Sequence, residues 1–432
     1  MLYNWIVKSD KEGSIMTSRL ELLSAGGFSA CLMSFSAVDL WLGREPGSGI
    51  LVLTNADTAD LARLFGNLRY PGVNFADAAL DCEKGTLYFQ CVDSEMTVLS
   101  GCTEKSRRFP AGSPSFSFLA FYLDSKTGHY IDPRGNYHAL LAIRNAINHG
   151  IESQNFGNMF EMLKNSINTG HEAVLTDTAL VLAKYFSRTD ITEKQIKETA
   201  SLLRDKKRSP GSEEQRFLLT GLLTAPYPGL GFEFLKTVGF INDNWPELAV
   251  LDNVDQSKEY HPEGNVWKHT METFNYRKAA ARQQPHSPKT RTSLPFDLTL
   301  SLGLLLHDAG KAVAASSGSR RFDGHAELGA VQARRFLERL GFDGQLIGDV
   351  CYLVKNHMLP AALPRLPLSR TSEIMSSSLF PSLMELYRCD ESSSFKGLDG
   401  YYDSAAVYQA YLRNVKNPYR SPEGKKIIHR QS

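Results

Sequence analysis

The sequence predicts an α+β protein, with a small mixed α/β segment over roughly the first 150 residues and helices from there on. Three observations carry this. Short runs rich in β-branched and aromatic residues, bounded by Gly, Pro and Asp, are confined to the first part of the chain. From about Tyr137 onward apolar residues recur at three- and four-residue spacing. Within that helical part a leucine run, "SLGLLLHDAGKA" (Ser301–Ala312), ends in an adjacent histidine and aspartate.

In order along the chain, "GILVLT" (Gly49–Thr54), "GTLYFQCV" (Gly85–Val92) and "SFSFLAFYLD" (Ser115–Asp124) read as strands. "TADLARLFGNL" (Thr58–Leu68) has helical spacing, with Thr58 or Asp57 as its N-cap. "SKTGHYIDPRGN" (Ser125–Asn136) reads as a turn, a short strand and a second turn. Helical patterns follow at His138–Ile147, Thr176–Phe186 and Thr192–Lys207, then in "EEQRFLLTGLLTAP" and "GLGFEFLKTVGF", with more helices after Asn265. The end of the chain is polar and basic, and fraying is expected there.

At 432 residues the chain exceeds one ordinary core, so two to four modules are expected. Hydrophobic content of 42% with 22% charged residues is that of a folded soluble protein, and a net charge of +1 excludes a global pull toward nucleic acid or membrane. No apolar stretch approaches the ~20 residues of a membrane span. The first residues lack a long apolar core and a small-residue cleavage site, so no signal peptide is expected. Cys31, Cys82, Cys91, Cys102, Cys351 and Cys389 are scattered with no C-x-x-C pair, which suits reduced thiols in a cytoplasm rather than a zinc ribbon.

The residues that carry chemistry lie in the second half. His269, His307-Asp308, His325, His357 and Asp390 occur in that order, most of them in or beside apolar helical segments. Burying an imidazole and a carboxylate costs several kcal/mol unless something pairs with them, roughly 2–7 for a polar group left without a partner. A divalent cation ligated by His and Asp satisfies both and offsets their desolvation. The plainer alternative is a network of hydrogen-bonded core histidines. The recurrence of the ordered set favours the ion.

The set H…HD…D, His269, His307, Asp308 and Asp390, resembles the signature of the HD superfamily of metal-dependent phosphohydrolases, an all-helical fold, and "HDAGK" extends the match. The resemblance implies that these four residues hold a first ion. His325 and His357 fall where members with additional histidines carry theirs, and they would complete a second site. The metal is left open among Mn, Ni, Co, Fe, Zn and Mg. Asp308 would also orient water, and Lys311 would meet a substrate phosphate. The alternative for Lys311 is a lysine at a helix C-terminus, favoured by the dipole.

Upstream, Phe234–Thr270 ("FLKTVGFINDNWPELAVLDNVDQSKEYHPEGNVWKHT") is similar to the junction of bacterial tRNA nucleotidyltransferases and poly(A) polymerases, through "PEL", "EYHPEG", "VW" and "HT". That family places a nucleotidyltransferase head and a helical neck before its HD domain. The resemblance implies a head at 1–150, a neck and RNA-binding arm at 151–245, an HD domain at 246–395 and a basic tail at 396–432.

The head shows Gly26-Gly27 and "VDLWLGREP" (Val38–Pro46), separated by an unusually long "FSACLMS" (Phe28–Ser34). Gly49 and Leu51 stand where the family's two metal-binding aspartates belong, leaving Asp39 and Asp57 as the nearby acids that could serve instead; their plainer reading is a turn residue and a helix cap, favoured for Asp57. "SPSFSFLAFYLD" (Ser113–Asp124) and "DTALVLAKYF" (Asp177–Phe186) lack the family's arginines, whereas Ser125–Asn136 matches it well. From these departures we expect a head that keeps its fold and has lost nucleotide transfer.

The function expected is then an HD-type phosphohydrolase or phosphodiesterase acting on a nucleotide or RNA end, including tRNA, with no membrane partner. The alternatives are an active CCA- or poly(A)-adding enzyme, or a non-catalytic RNA-binding protein with a structural metal. Arg204–Arg208, Tyr276–Arg282, Lys289, Arg291 and Glu423–Lys426 are candidate phosphate contacts.

Overall fold

Strand Gly49–Thr54 (β2), buried on both sides over its last four residues, is the centre around which the first part of the protein is built. The structure is a computed structural model and describes residues 15–42, 46, 49–71, 76–82, 85–92, 121–131, 174–188, 191–203, 209–256, 262, 264–278, 297–316, 322–395 and 397–417. The chain divides into two compact units that part between Phe240 and Ile241.

In the first unit β2 pairs in parallel with Gly85–Cys91 (β5) and antiparallel with Ala30–Met33 (β1). With Leu68–Arg69 (β3), Ala78–Cys82 (β4), Tyr122–Asp124 (β6) and Tyr130–Ile131 (β7), the sheet among the described residues runs β3-β4-β5-β2-β1-β6-β7. Register sets Cys31 opposite Leu53 and Leu51 opposite Tyr88. One face gathers Cys31, Met33, Leu51, Leu53, Tyr88 and Tyr122 into a core, and Phe217 packs on it.

Helix Ile15–Ala25 (α1) precedes β1. Gly26-Gly27 is the end of α1, with Gly27 at φ +84, a left-handed residue that closes a helix. The turn from β1 into helix Phe35–Trp41 (α2) comes instead at Ser34, φ 54. Gly26-Gly27 is thus a turn, and the expectation corrected is that of a long spacer after it: most of "FSACLMS" is strand β1. Asp39 is not a turn residue either. It lies inside α2, 3% exposed, where it takes the Lys184 ammonium and, at 2.9 Å, the Tyr185 hydroxyl. Asp57 does cap helix Thr58–Phe65 (α3), accepting from Asp60 N at 2.7 Å in a reciprocal capping box.

Lys184 and Tyr185 belong to Val174–Tyr185 (α4), which is followed by Glu193–Ser201 (α5), Ser212–Leu223 (α6) and Pro228–Thr237 (α7). The expected helix at His138–Ile147, the strand residues Ser115–Ala120, and the basic positions Arg204–Arg208, Lys289, Arg291 and Glu423–Lys426 lie outside the described residues.

The second unit is helical. Phe240–Asn244 (α8), which starts at the division, leads into Pro246–Ala249 (α9), Val266–Thr273 (α10), Leu298–Leu306 (α11), Gly310–Ser316 (α12), His325–Arg339 (α13) and Gly344–Asn356 (α14). Leu359–Ala362 (α15), Leu368–Met375 (α16), Phe380–Ser392 (α17) and Asp399–Val415 (α18) complete it. The leucine helix α11 is buried all round from Leu300 to Leu306, as a helix apolar on every face must be. Its N-cap Asp297 accepts from Leu300 N at 2.6 Å.

Helix α18 corrects the expectation of a basic tail from residue 396. Tyr408 and Tyr411 form a packing stripe that polar composition conceals: Tyr411 is buried, and the Tyr408 ring lies 4.6 Å from that of Phe380. Ser404 donates to the Pro360 carbonyl at 2.7 Å.

Candidate metal centre

Five helices and the turns between them converge on one cluster. His269 projects from α10, whose start is set by Asn265: its side-chain oxygen accepts from Lys268 N at 3.0 Å while its amide donates to the Asp252 carbonyl at 2.7 Å. His307 closes α11 and Asp308 sits in the turn before α12. His325 opens α13, His357 ends α14, and Asp390 comes from α17.

The structure brings all six residues together. His269 Nε2 is 2.9 Å from Asp390 Oδ1 and 4.0 Å from Asp308 Oδ2. His307 Nε2 is 3.3 Å from Asp308 Oδ2 and 3.8 Å from Asp390 Oδ1. On the other oxygen of Asp308, Oδ1, His325 Nε2 lies at 3.6 Å and His357 Nε2 at 3.9 Å, and these two nitrogens are 3.1 Å apart. Two triads with metal-ligand spacing result, His269–His307–Asp308 and Asp308–His325–His357, and Asp308 is in both.

The far side of each ring is anchored. His307 Nδ1 meets the Leu304 carbonyl at 2.8 Å, His325 Nδ1 that of Phe322 at 2.9 Å, and His357 Nδ1 that of Val354 at 2.7 Å. Only a protonated Nδ1 can donate to a carbonyl, so in its neutral form each of the three rings turns an Nε2 lone pair into the cluster. For His307 that lone pair faces carboxylate oxygens, a repulsive arrangement until a cation lies between. His307 Nε2 and Asp308 Oδ2 are both buried and make no hydrogen bond of acceptable geometry despite their 3.3 Å approach. A buried His307 Nε2 without a hydrogen-bond partner, rings held by backbone carbonyls, and a shared carboxylate fit a divalent ion.

The electrostatics agree. Burial pulls His307 down, but Asp308 and Asp390 more than reverse this and leave its pKa raised. Burial works upward on Asp308 and is outweighed by His307 and Lys311, which hold it well below the usual carboxylate range. Asp390 is likewise lowered, with the His269 hydrogen bond and His307 overcoming its burial. His325 is lowered by burial, and His357 is pushed down to about 4 by burial with His307 adding to it. The cluster therefore presents ionised carboxylates and neutral His325 and His357 imidazoles, the protonation states a metal requires, while the two carboxylates favour a proton on His307 that a bound cation would displace.

Lys311 is at the start of α12, not at a helix C-terminus, so the expectation of a dipole-favoured lysine is corrected: a cation there opposes the dipole. It is held by an ion pair with Asp308 Oδ2 at 2.7 Å and a hydrogen bond to Gln256 Oε1 at 2.7 Å. Gln256 lies in an irregular stretch with no periodicity to mark it in the sequence. Its only signal was its place between the conspicuous "PEL" and "EYHPEG". Gly310, between the ligands and Lys311, allows α12 and α13 to touch: a Cβ there would lie 2.0 Å from the His325 carbonyl oxygen.

Gly49 and Leu51 lie in the other unit. Leu51 is 2% exposed in the sheet core, and a Cβ on Gly49 would lie 2.4 Å from the Phe217 ring. Their identities are explained by packing.

Comparison with known proteins places this geometry. Residues 266–378 match the family model described as "HD domain". Over 217 residues the chain is 30% identical to the CC-adding tRNA nucleotidyltransferase of Thermus thermophilus, covering 48% of this chain and 45% of that protein. A 118-residue stretch is 34% identical to the Multifunctional CCA protein of Halorhodospira halophila, covering 27% and 25%. The chain thus spans less than half the length of either relative. Among solved structures, the CCA-adding enzyme of Bacillus stearothermophilus in complex with CTP aligns with 92% of this chain and 82% of its own, at 14% identity and a TM-score of 0.44.

The chain carries an HD domain in its helical part. It is homologous to the CCA-adding and A-adding tRNA nucleotidyltransferases. The expectation that nucleotide transfer is lost is overturned by this finding: the relatives are nucleotidyltransferases by name, so the comparison points toward a transferase. No helix among the described residues is long and apolar enough to cross a membrane.

Proposed function

We propose that the protein acts on tRNA 3′ ends as a nucleotidyltransferase, with a head at 1–150, a neck at 151–245 and a metal-bearing HD domain at 246–395. Support for transfer comes from the relatives, whose names are those of CC-adding, A-adding and multifunctional CCA enzymes. Neither Gly49 nor Leu51 offers a carboxylate, so the acids that serve transfer are to be sought at Asp39 and Asp124, both buried in the described head. Incorporation of labelled CTP or ATP into tRNA trimmed at its 3′ end tests this reading. No incorporation with either nucleotide, in Mg²⁺ or Mn²⁺, refutes it. The cytoplasmic location expected from the cysteines belongs with this reading.

A second reading concerns the HD domain and rests on one observation, the convergence of four histidines and two aspartates around Asp308. We propose that this cluster holds one or two divalent ions for hydrolysis of a phosphoester on a nucleotide or RNA end. His269, His307, Asp308 and Asp390 would hold the first ion, and Asp308, His325 and His357 the second. When bound, the metal supplies acidification of water and polarisation of a phosphoryl oxygen. The chain's own part is to orient: backbone carbonyls fix the imidazoles, Asp308 directs water, and Lys311 meets the phosphate as a point charge. The test is turnover of bis-p-nitrophenyl phosphate and of nucleotides by protein loaded with Mn²⁺, Ni²⁺, Co²⁺, Fe²⁺, Zn²⁺ or Mg²⁺. Absence of turnover in demonstrably loaded protein would sink the hydrolytic reading, and His307→Ala and Asp308→Ala should each abolish it.

A further inference from the structure

We propose that Gln256 is a phosphate-binding residue of the HD centre, forming with Lys311 a two-donor receptor for a phosphoryl group beside Asp308. The inference rests on the metal-centre reading above. The Gln256 side-chain oxygen accepts from the Lys311 ammonium at 2.7 Å. Chemistry alone settles the orientation of this amide, because its NH₂ end cannot face an ammonium. The Nε2 group is consequently turned away from the lysine, and it is buried without an acceptor among the described residues.

A buried amide donor without a partner calls for an explanation, and here the surroundings supply one. The Lys311 ammonium is 2.7 Å from Asp308 Oδ2, and Asp308 belongs to both metal triads. Once that carboxylate is engaged by a divalent ion, the ammonium loses most of its counter-charge and stands beside another cation. An anion restores the balance. With two acceptor oxygens it can take the ammonium through one and Gln256 Nε2 through the other. A neutral water satisfies the amide but does nothing for the stranded positive charge. A phosphoryl group fits both needs, and the ammonium already lies against the carboxylate expected to carry the metal.

The test is calorimetric titration of inorganic phosphate into the full-length chain loaded with Ni²⁺, alongside Ni²⁺ titrations of the metal-free chain. Gln256→Met keeps the volume and removes the donor together with the oxygen that holds Lys311, so it should weaken phosphate binding at least about tenfold, the effect of losing one hydrogen bond to a charged group. Its Ni²⁺ affinity should remain that of the unsubstituted chain. Gln256→Glu, which sets a carboxylate against the anion while still holding Lys311, should weaken phosphate further. Equal phosphate affinity in Gln256→Met and the unsubstituted chain overturns the proposal and leaves the amide to water. A parallel loss of Ni²⁺ and phosphate in Gln256→Met also overturns it, reducing Gln256 to a support for Asp308. Failure of the unsubstituted loaded chain to take up phosphate does the same. Failure of Ni²⁺ to bind at all refutes the metal-centre reading itself, a separate outcome visible in the first titration.

Discussion

Replacing Gly310 by alanine adds one methyl group at the tightest point of the HD unit. The new Cβ would lie 2.0 Å from the His325 carbonyl oxygen and 2.5 Å from Gly329 N. Both are backbone atoms of α13, so no rotamer change relieves the contact. A carbon needs about 3.3 Å from a carbonyl oxygen, so α12 and α13 must separate by about 1.3 Å along that direction. Overpacking in a rigid core costs about 1–3 kcal/mol, and the backbone character of both neighbours argues for the upper end. For a domain of this kind each kcal/mol lowers Tm by about 2–4 °C.

The larger consequence is local. His325 opens α13 and moves with it, whereas Asp308 precedes α12, and metal sites tolerate only about 0.2 Å of error. We expect Gly310→Ala to melt several degrees lower and to lose the ion held through His325 and His357 while keeping the one held through His269, His307 and Asp390. Thermal unfolding and metal stoichiometry by calorimetry read both effects. A variant with unchanged Tm and unchanged stoichiometry would refute the claim that the α12–α13 contact builds the second triad.

Saturating the centre at a metal concentration 100-fold above Kd should stabilise the HD unit by about 2.7 kcal/mol per ion, reversed by chelator and visible as a rise in Tm. Asp308→Asn should abolish binding to both triads and, in metal-free protein, cost about 3 kcal/mol by leaving Lys311 without its carboxylate; denaturant titration measures it. For His357, held at about 4 in the folded chain against about 6.5 unfolded, the unfolded state takes up the extra proton as pH falls through that window. Its contribution is therefore complete above about pH 6.5 and lost toward pH 4, up to about 3 kcal/mol, and His357→Gln should flatten the acid limb of the metal-free stability profile. In the head, Gly49→Ala should destabilise by about 1–3 kcal/mol through its clash with Phe217, and Phe217→Ala in the same chain should recover most of that loss in a double-mutant cycle.

Elements whose pattern obeys one period were legible in the sequence. Helix α3 announced itself through its spacing and its Asp57 cap, and β2 and β5 through β-branched and aromatic runs bounded by turn residues. Strand β1 was passed over as a spacer because "ACLM" is four residues long and buried on both faces, so it shows no alternation. Helix α18 was hidden because its packing stripe is made of tyrosines, which read as polar in a basic stretch. In the centre, the six candidate ligands, four histidines and two aspartates, were legible as an ordered set. Gln256 was not, since an amide in an irregular segment acquires meaning only from the Lys311 ammonium across from it.

The sequence alone determined the donor inventory, the helical context of each donor, and the glycine between Asp308 and Lys311, because these depend on residue type and local periodicity. The tertiary structure decided that Asp308 is shared between two triads and that Lys311 is tethered to Gln256. It also decided that Gly49 is a packing residue under Phe217. Each of these is a distance between residues from separate elements, set by how helices and strands pack.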